Sequence, residues 1–447
     1  MADSVQLAPK PRFARALRVA RYCLGGVVLG VCVVALIETV VLEPFHVPTG
    51  SMAPALRGHH RVGLCPCCGA EVVVGRAAAD SKGTGQARFY RKAFCQNCGH
   101  FPIPLDGPEI AGDRIIVHRT AHLFRTPSRW EIVVFRLLGV FYIKRILGLP
   151  GEEILIHDGD VYVDGELLRK PWDEAKRMAL PIYDQLQARP ERWDVLTGPD
   201  SRVIDLDGTA SPTTATYRNE IAATKKCEPI RDEYAYNGSL HADSECVHDF
   251  LIATEVEAVA GAGSVSLRLC DGGDWIEVTL PLGEARAIEA FAWPVHEPER
   301  IRKIADGEHV WALQPGQRCR VELAFVDRRV TLAVDDAVCC SVDLPARKER
   351  DGVSEPFQVH ADGVRVRLHR FRLSRDVHYG QQGINGVRGK AVRLGPDQYF
   401  VLGDNSPNSE DSRFWTDQGR VEAASIVGSA LIARGAAPQR SGVRWLP

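Results

Sequence analysis

Hydrophobic and polar positions change rhythm several times along this chain. Residues 22–37, YCLGGVVLGVCVVALI, carry no charge, and extending the run to residue 42 admits only Glu38. That length approaches the ~20 apolar residues a helix needs to cross a bilayer. A carboxylate near the far end can still reach interfacial water. From residue 112 the text alternates with a period of two: RIIVHR, EIVVF, FYIKRIL, EILIHDG and VYVDGELL. Such alternation predicts strands with one buried face, and Asp158-Gly159 and Asp164-Gly165 punctuate them as hairpin turns. Residues 173–380 read differently. A helix-like segment, DEAKRMALPIYDQLQ, comes first, and then short strands recur between turn-rich gaps (DFLIATEVEAV, GSVSLRLCD, DWIEVTL, CRVELAFVDRRVTLAVDDAVCCSVDL, VRVRLHRFRLS). Regular short strands of this kind predict a β-sandwich. Sheet-like text resumes after residue 381 with KAVRLGPDQYFVL. The fold class read from the pattern is therefore mainly β, behind one N-terminal apolar helix.

Composition changes this picture little. The 447 residues are 45% hydrophobic and 25% charged with a net charge of −2, values of a folded chain with no bias toward nucleic acid as a partner. The charge is unevenly placed. Lys10, Arg12, Arg15, Arg18 and Arg21 crowd the N-terminal side of the apolar run, with Asp3 the only acid among them. This asymmetry predicts a cytoplasmic N-terminus and an extracytoplasmic remainder, a single pass through the plasma (inner) membrane. The alternative is a cleaved secretory signal, whose apolar core is usually about 7–15 residues and ends at a small-residue cleavage site. The run here is longer, and no clean small-x-small site precedes Glu43, since Cys32-Val33-Val34-Ala35 lacks the usual polar run-in.

Three segments carry candidate chemistry. Ser51 lies in Pro48-Thr49-Gly50-Ser51-Met52-Ala53-Pro54, a bend next to the apolar run; taken alone, it reads as a solvated turn residue. A serine becomes a nucleophile only when a neighbouring base removes its proton. Lys144 shares a strand face with Tyr142 and Ile146. A lysine on an apolar face loses hydration, which lowers its pKa and fits it to act as a base, although strand lysines commonly snorkel to solvent. The third segment, Gly403 to Arg413, packs hydroxyls, carboxylates and amides directly after the strand YFVL.

In order, SMAPAL, GDRIIV, the KRILGLPGE run and GDNSPNSEDSR resemble the boxes of type I signal peptidases. The resemblance covers about 43–64, 101–170 and 381–436 and implies a β-rich catalytic fold outside the membrane. It implies Ser51 as nucleophile and Lys144 as general base of a Ser–Lys dyad, and no cofactor for the chemistry. It also implies that Ser409 orients the lysine amine, that Asp411 and Arg413 form a supporting ion pair, and that Asp404 is structural. Thr49 stands where the family often has a serine, and its hydroxyl would join the Ser51 N–H in stabilising an oxyanion. Ala55 replaces the usual threonine of SMxPT, and Glu152 replaces the usual aspartate of PGD. Secretory preproteins with small residues before the cut, presented at membrane lipid, are the implied substrates. The rival reading is a membrane-tethered binding or scaffold protein with a silent peptidase core. A self-cleaving repressor with the same dyad is disfavoured by the apolar span and the lack of a DNA-binding segment.

Two insertions interrupt these boxes. Cys65, Cys68, Cys95 and Cys98 form two C-x2-C-G knuckles with zinc-ribbon spacing, so a structural zinc is expected, with disulfides as the alternative in an exported domain. The six cysteines at 227, 246, 270, 319, 339 and 340 could form up to three disulfides. The sandwich segment resembles laminin-G or concanavalin-like jelly rolls, notably in VELAFVDRRVTLAVDD, and a glycan or protein ligand is its implied partner. His59-His60 is expected to be a solvated loop pair. The expected organisation is a basic tail 1–21, anchor 22–42, catalytic parts 43–64, 101–172 and 381–447, ribbon 65–100 and sandwich 173–380.

Overall fold

Periodicity dictates most of what the chain builds. The computed structural model describes residues 11–36, 41–76, 92–187, 192–194, 203–221, 226–238, 244–435 and 442–446. A helix runs from Pro11 to Leu36, and its window Arg18–Ala35 is apolar and long enough to cross a membrane, with none of it buried in the protein. The expected span to residue 42 is shortened at its far end, because Leu42 already pairs with His118 in a strand. Lys10 and the rest of the tail before Pro11, and Glu38 with its neighbours 37–40, lie outside the described residues.

The alternating text forms strands as read. In the first sheet the strand order is Leu42–His46, Arg114–His118, Ile426–Arg434, Ile132–Leu137, Val140–Gly148, Gln398–Leu402 and Val421–Glu422, with Val443–Trp445 alongside Ile426–Arg434. Segments from both ends of the chain thus share one sheet. A smaller sheet pairs Glu153–His157 with Asp160–Val163 across Asp158-Gly159, and Asp160–Val163 with Glu166–Leu167 across Asp164-Gly165. All four of these turn residues hold positive φ (51°, 84°, 50° and 85°), which Asp and Gly adopt most readily.

The intervening segment is a sandwich made from one folded sheet. Its expected short strands DFLIATEVEAV and GSVSLRLCD are a single 21-residue strand, Phe250–Cys270, paired with the 19-residue strand Phe357–Arg375. The first half of Phe250–Cys270 also pairs with Arg318–Val326, and the second half with Asp274–Leu282. The register slips between Gly261 and Ser264, where Gly261 and Gly363 take φ of 91° and 70°. A side-chain carbon at Gly261 would lie 2.2 Å from the Gly363 carbonyl oxygen, so the bend requires glycine. Ile252 and Val256 before the bend and Leu267 and Leu269 after it enter one core. The helix-like segment is α-helical only over Trp172–Met178, with a single 3-10 turn at Gln185–Gln187. Leu180–Asp184 pairs instead with Phe357–Arg375, and Pro181 cannot continue a helix. None of the thirteen cysteines is joined in a disulfide in this structure, and Cys270 and Cys319 are buried as small apolar side chains.

Candidate functional site

Strand Val140–Gly148 starts in solvent and ends in the core: Val140 and Phe141 are exposed, whereas residues 144–148 are buried. Its partners Ile132–Leu137 and Gln398–Leu402 flank it on both edges, and packing covers both faces. Lys144 is consequently 2% exposed, and its amine donates to Ser409 Oγ at 2.9 Å. Burial pushes this amine down to about 8; nearby Asp411 opposes that shift and Arg413 adds to it.

Arg145, the next residue, points to the other face and is just as buried. It forks onto Asp404, Nε to Oδ1 at 2.7 Å and Nη2 to Oδ2 at 2.6 Å, and donates to the Trp130 carbonyl at 2.7 Å. The loop after Gln398–Leu402 therefore hangs from the lysine strand by two attachments, Ser409 on one face and Asp404 on the other. A second fork braces it from within. Arg413 Nε and Nη2 donate to Asp411 Oδ1 and Oδ2, both at 2.9 Å, and Arg413 also bonds Ser406 Oγ and the Ser406 carbonyl. Although burial opposes it, the Arg413 guanidinium holds Asp411 below the ordinary carboxylate range.

Ser51 sits in the turn that follows strand Leu42–His46. Ala53 N–H bonds the Gly50 carbonyl at 3.1 Å, and Met52, Ala53 and Leu56 anchor the turn in the core. Asn405 clasps it: its backbone N–H donates to the Ser51 carbonyl at 3.0 Å and its side-chain amide to the Gly50 carbonyl at 2.9 Å. Ser51 is partly exposed and Thr49 exposed. Gly403 is wedged between the two serines, since a side-chain carbon there would lie 2.3 Å from Ser409 Oγ and 2.5 Å from the Ser51 carbonyl oxygen. Gly403→Ala is expected to fold with a loss of about 1–3 kcal/mol and to cut turnover ~100-fold by displacing the turn. Denaturation and precursor-cleavage kinetics measure the two effects.

The four knuckle cysteines also converge. Cys65 and Cys98 sulfurs are 3.6 Å apart, as are those of Cys68 and Cys95, and all four ligand atoms lie within 4.8 Å of one another. Four sulfurs at ~2.3 Å from a central zinc would be about 3.8 Å apart, whereas a disulfide needs ~2.05 Å. Gly69 and Gly99 close the knuckles at φ of 75° and 71°. Residues 77–91 of this ribbon lie outside the described residues. His60 departs from its expected solvated loop: it is fully buried, with Nδ1 at 2.8 Å from the Gly58 carbonyl.

Sequence reasoning missed Arg145, Gly403, Asn405 and, in the sandwich segment, Tyr236 and Asn237. A signal existed for the first. A basic residue on the inward side of so apolar a strand needs a buried carboxylate, and Asp404 was within the singled-out loop.

Comparison with known proteins adds kinship to this geometry. A family described as "Signal peptidase, peptidase S26" matches residues 107–231 and 315–433, more than half of the chain and including Lys144 and the 403–413 loop. Ser51 lies before the matched segments. "Probable signal peptidase I-2" of Synechocystis is 39% identical over 102 residues, covering 21% of this chain and 45% of that relative. "Signal peptidase I" of Rickettsia massiliae is 25% identical over 149 residues, covering 33% of this chain and 44% of the relative. The chain thus spans less than half the length of these relatives. Among solved structures, the carbohydrate binding module CBM66 from Bacillus subtilis is 14% identical with a TM-score of 0.22, covering 31% of this chain and 84% of that one. A likeness that weak carries no inference about the sandwich. The breadth of the family match, across strands that precede the sandwich core and strands that follow it, makes this chain a member of the S26 family of signal peptidases.

Proposed function

We propose that this chain is a membrane-anchored serine endopeptidase that removes signal peptides from exported preproteins through Ser51 and Lys144. The observation that carries the reading is the state of Lys144: an amine buried at 2% exposure, pushed down to about 8, and bonded to a serine that flanks the Ser51 turn. A lysine so placed is neutral often enough near neutral pH to accept a proton.

In this mechanism Ser51 Oγ attacks the scissile carbonyl carbon while its proton passes to Lys144 Nζ. The negative charge gathers on the former carbonyl oxygen, facing the Ser51 backbone N–H, which makes no other hydrogen bond among the described residues, and the Thr49 hydroxyl. Collapse breaks the C–N bond, and the Lys144 ammonium returns the proton to the leaving amine. Water, deprotonated by the same amine, then releases the acyl group and regenerates Ser51. Ser409 holds the amine in register, and every step uses groups of the chain itself. The four knuckle thiolates are read as ligands of a structural zinc, outside this chemistry.

Lys10 before the helix and Arg12, Arg15, Arg18 and Arg21 in its first turns favour a cytoplasmic N-terminus. Phe141 packs edge-on against Phe45, just after the helix, and the exposed Leu138, Val140 and Phe141 form an apolar tip suited to lie against lipid.

Purified full-length protein in detergent is expected to cleave an exported precursor at its signal junction. Its kcat/KM should rise with pH through a half-point near 8 as Lys144 loses its proton. Ser51→Ala should be folded and inactive. Cleavage surviving in Ser51→Ala, or wild type inert toward several precursors, would overturn the reading.

A further inference from the structure

We propose that the four-cysteine centre, holding zinc, is a brace for the nucleophile turn, transmitted through Gln96 and the segment Glu233–Asn237. The inference rests on reading Ser51 as the nucleophile.

The path is continuous. In the second knuckle, Asn97 donates to Cys68 Sγ at 3.8 Å and accepts from the Asp184 N–H at 2.7 Å. Beside it, Gln96 clasps the sandwich segment from both ends of its amide: Nε2 donates to the Glu233 carbonyl at 3.2 Å, and Oε1 accepts from the Ala235 N–H at 3.3 Å. Ala235 packs into the same small core as Cys65, Cys95, Val72 and Val74. The turn Ala235–Asn237 that follows delivers two side chains to the active site. Tyr236, 1% exposed, fills the space that side chains at Gly50 and Gly75 would need; a carbon on either would lie 2.3 Å or 2.1 Å from its ring. Asn237 exchanges two amide hydrogen bonds with Asn405, at 2.8 Å and 2.7 Å. That exchange fixes the Asn405 amide in the orientation that donates to the Gly50 carbonyl, one residue before Ser51.

The physical logic follows from what holds each link. Residues 228–238 belong to no strand of either large sheet: backbone bonds of Ile230 and Asp232 and the Arg375 guanidinium on Asp232 and Glu233 hold the first half of the segment, and Gln96 is the clasp on the Ala235 N–H, where the turn begins. The knuckle that supplies Gln96 has a small apolar core, so a bound zinc would supply much of its order, since metal binding is coupled to folding of such ribbons. Removing the metal frees Gln96, loosens Tyr236 and Asn237, and leaves Asn405 able to turn its amide away from Gly50. A displacement of about 1 Å at a reacting group costs ~100-fold in rate. Gln96, Tyr236 and Asn237 are thus positioning residues. They touch neither the reacting bond nor the metal.

The test uses the full chain in detergent. One zinc per chain is expected by elemental analysis. Chelator treatment should lower kcat ~10–100-fold with KM changed less than about threefold, and added zinc should restore it. Gln96→Leu and Asn237→Ala should retain zinc, fold as judged by circular dichroism, and show the same loss in kcat with little change in KM. A general structural defect would instead lower the active fraction and the unfolding temperature. Wild-type kcat in the zinc-stripped protein, in Gln96→Leu or in Asn237→Ala, with Ser51→Ala inactive, overturns the brace while leaving the nucleophile intact. Absence of zinc with the four thiols paired as two disulfides also overturns it. Cleavage by Ser51→Ala would instead remove the reading on which the brace rests.

Discussion

Replacing Lys144 with methionine is expected to abolish precursor cleavage and, at the same time, make the protein harder to unfold. The activity loss, on the order of ten-thousand-fold, would reflect removal of the group that in the proposed mechanism takes the Ser51 proton and returns it to the leaving amine. The gain in stability comes from the same burial that makes the lysine useful. In the folded protein the amine is pushed down to about 8 from an ordinary value of 10.5, so the native state binds its proton less tightly than the unfolded chain does. The sign follows directly. Below pH 8 the folded protein carries a buried ammonium at a cost that the unfolded chain does not bear. That cost fades as pH rises from 8 through 10.5, where both states become neutral. Lys144→Met removes the cost, so it should stabilise by up to about 3 kcal/mol at pH 6 and by little above pH 10.5. Urea denaturation at pH 6, 8 and 10 measures the trend. Lys144→Arg should be equally inactive, because a guanidinium stays protonated, and should show no such gain. A methionine variant that is both inactive and less stable at pH 6 would mean that the lysine is not held as a strained base.

Arg145→Met is expected to have the largest effect on stability. Arg145 and Asp404 are 2% exposed or less, and the fork is the carboxylate's bidentate cationic partner. Removing the guanidinium strands a buried carboxylate and should cost about 3–5 kcal/mol. Asp404→Leu in the same background removes the stranded charge, and the double variant should recover most of the loss. Its activity should stay low, since Asp404 carries the backbone of Asn405, which holds the Ser51 turn. Denaturation of the single and double variants gives the coupling energy. A loss in Arg145→Met that the double variant does not recover would mean that packing of the arginine stem, not its charge, dominates.

Much of the architecture could be read along the chain. Alternation located the strands of the first sheet because one residue in two must face a core, and Asp-Gly pairs located the hairpins of the smaller sheet because few residues tolerate positive φ. The C-x2-C-G spacing brought out the knuckles for a similar local reason. Other features were hidden. The glycines around residue 261 read as a break between two strands. They are a bend inside one, because the neighbouring strand at Asp362-Gly363 continues the pairing past them.

At the site the division is the same. The segments around Ser51, Lys144 and Ser409 stood out by their text, and so did a lysine embedded among apolar residues. What the sequence by itself determined are properties set within a few residues: period, turn chemistry, the apolar helix and the cysteine spacing. What only the tertiary structure decided are pairings across long stretches of chain: Arg145 with Asp404, Gly403 between two serines, Gln96 with the 233–235 backbone and Asn237 with Asn405. A polar residue in a turn has many acceptable partners, water included, and nothing in its neighbours selects one. The choice is made when two sheets close and water is excluded, because a buried fork or amide must then be satisfied by whatever the fold has placed beside it.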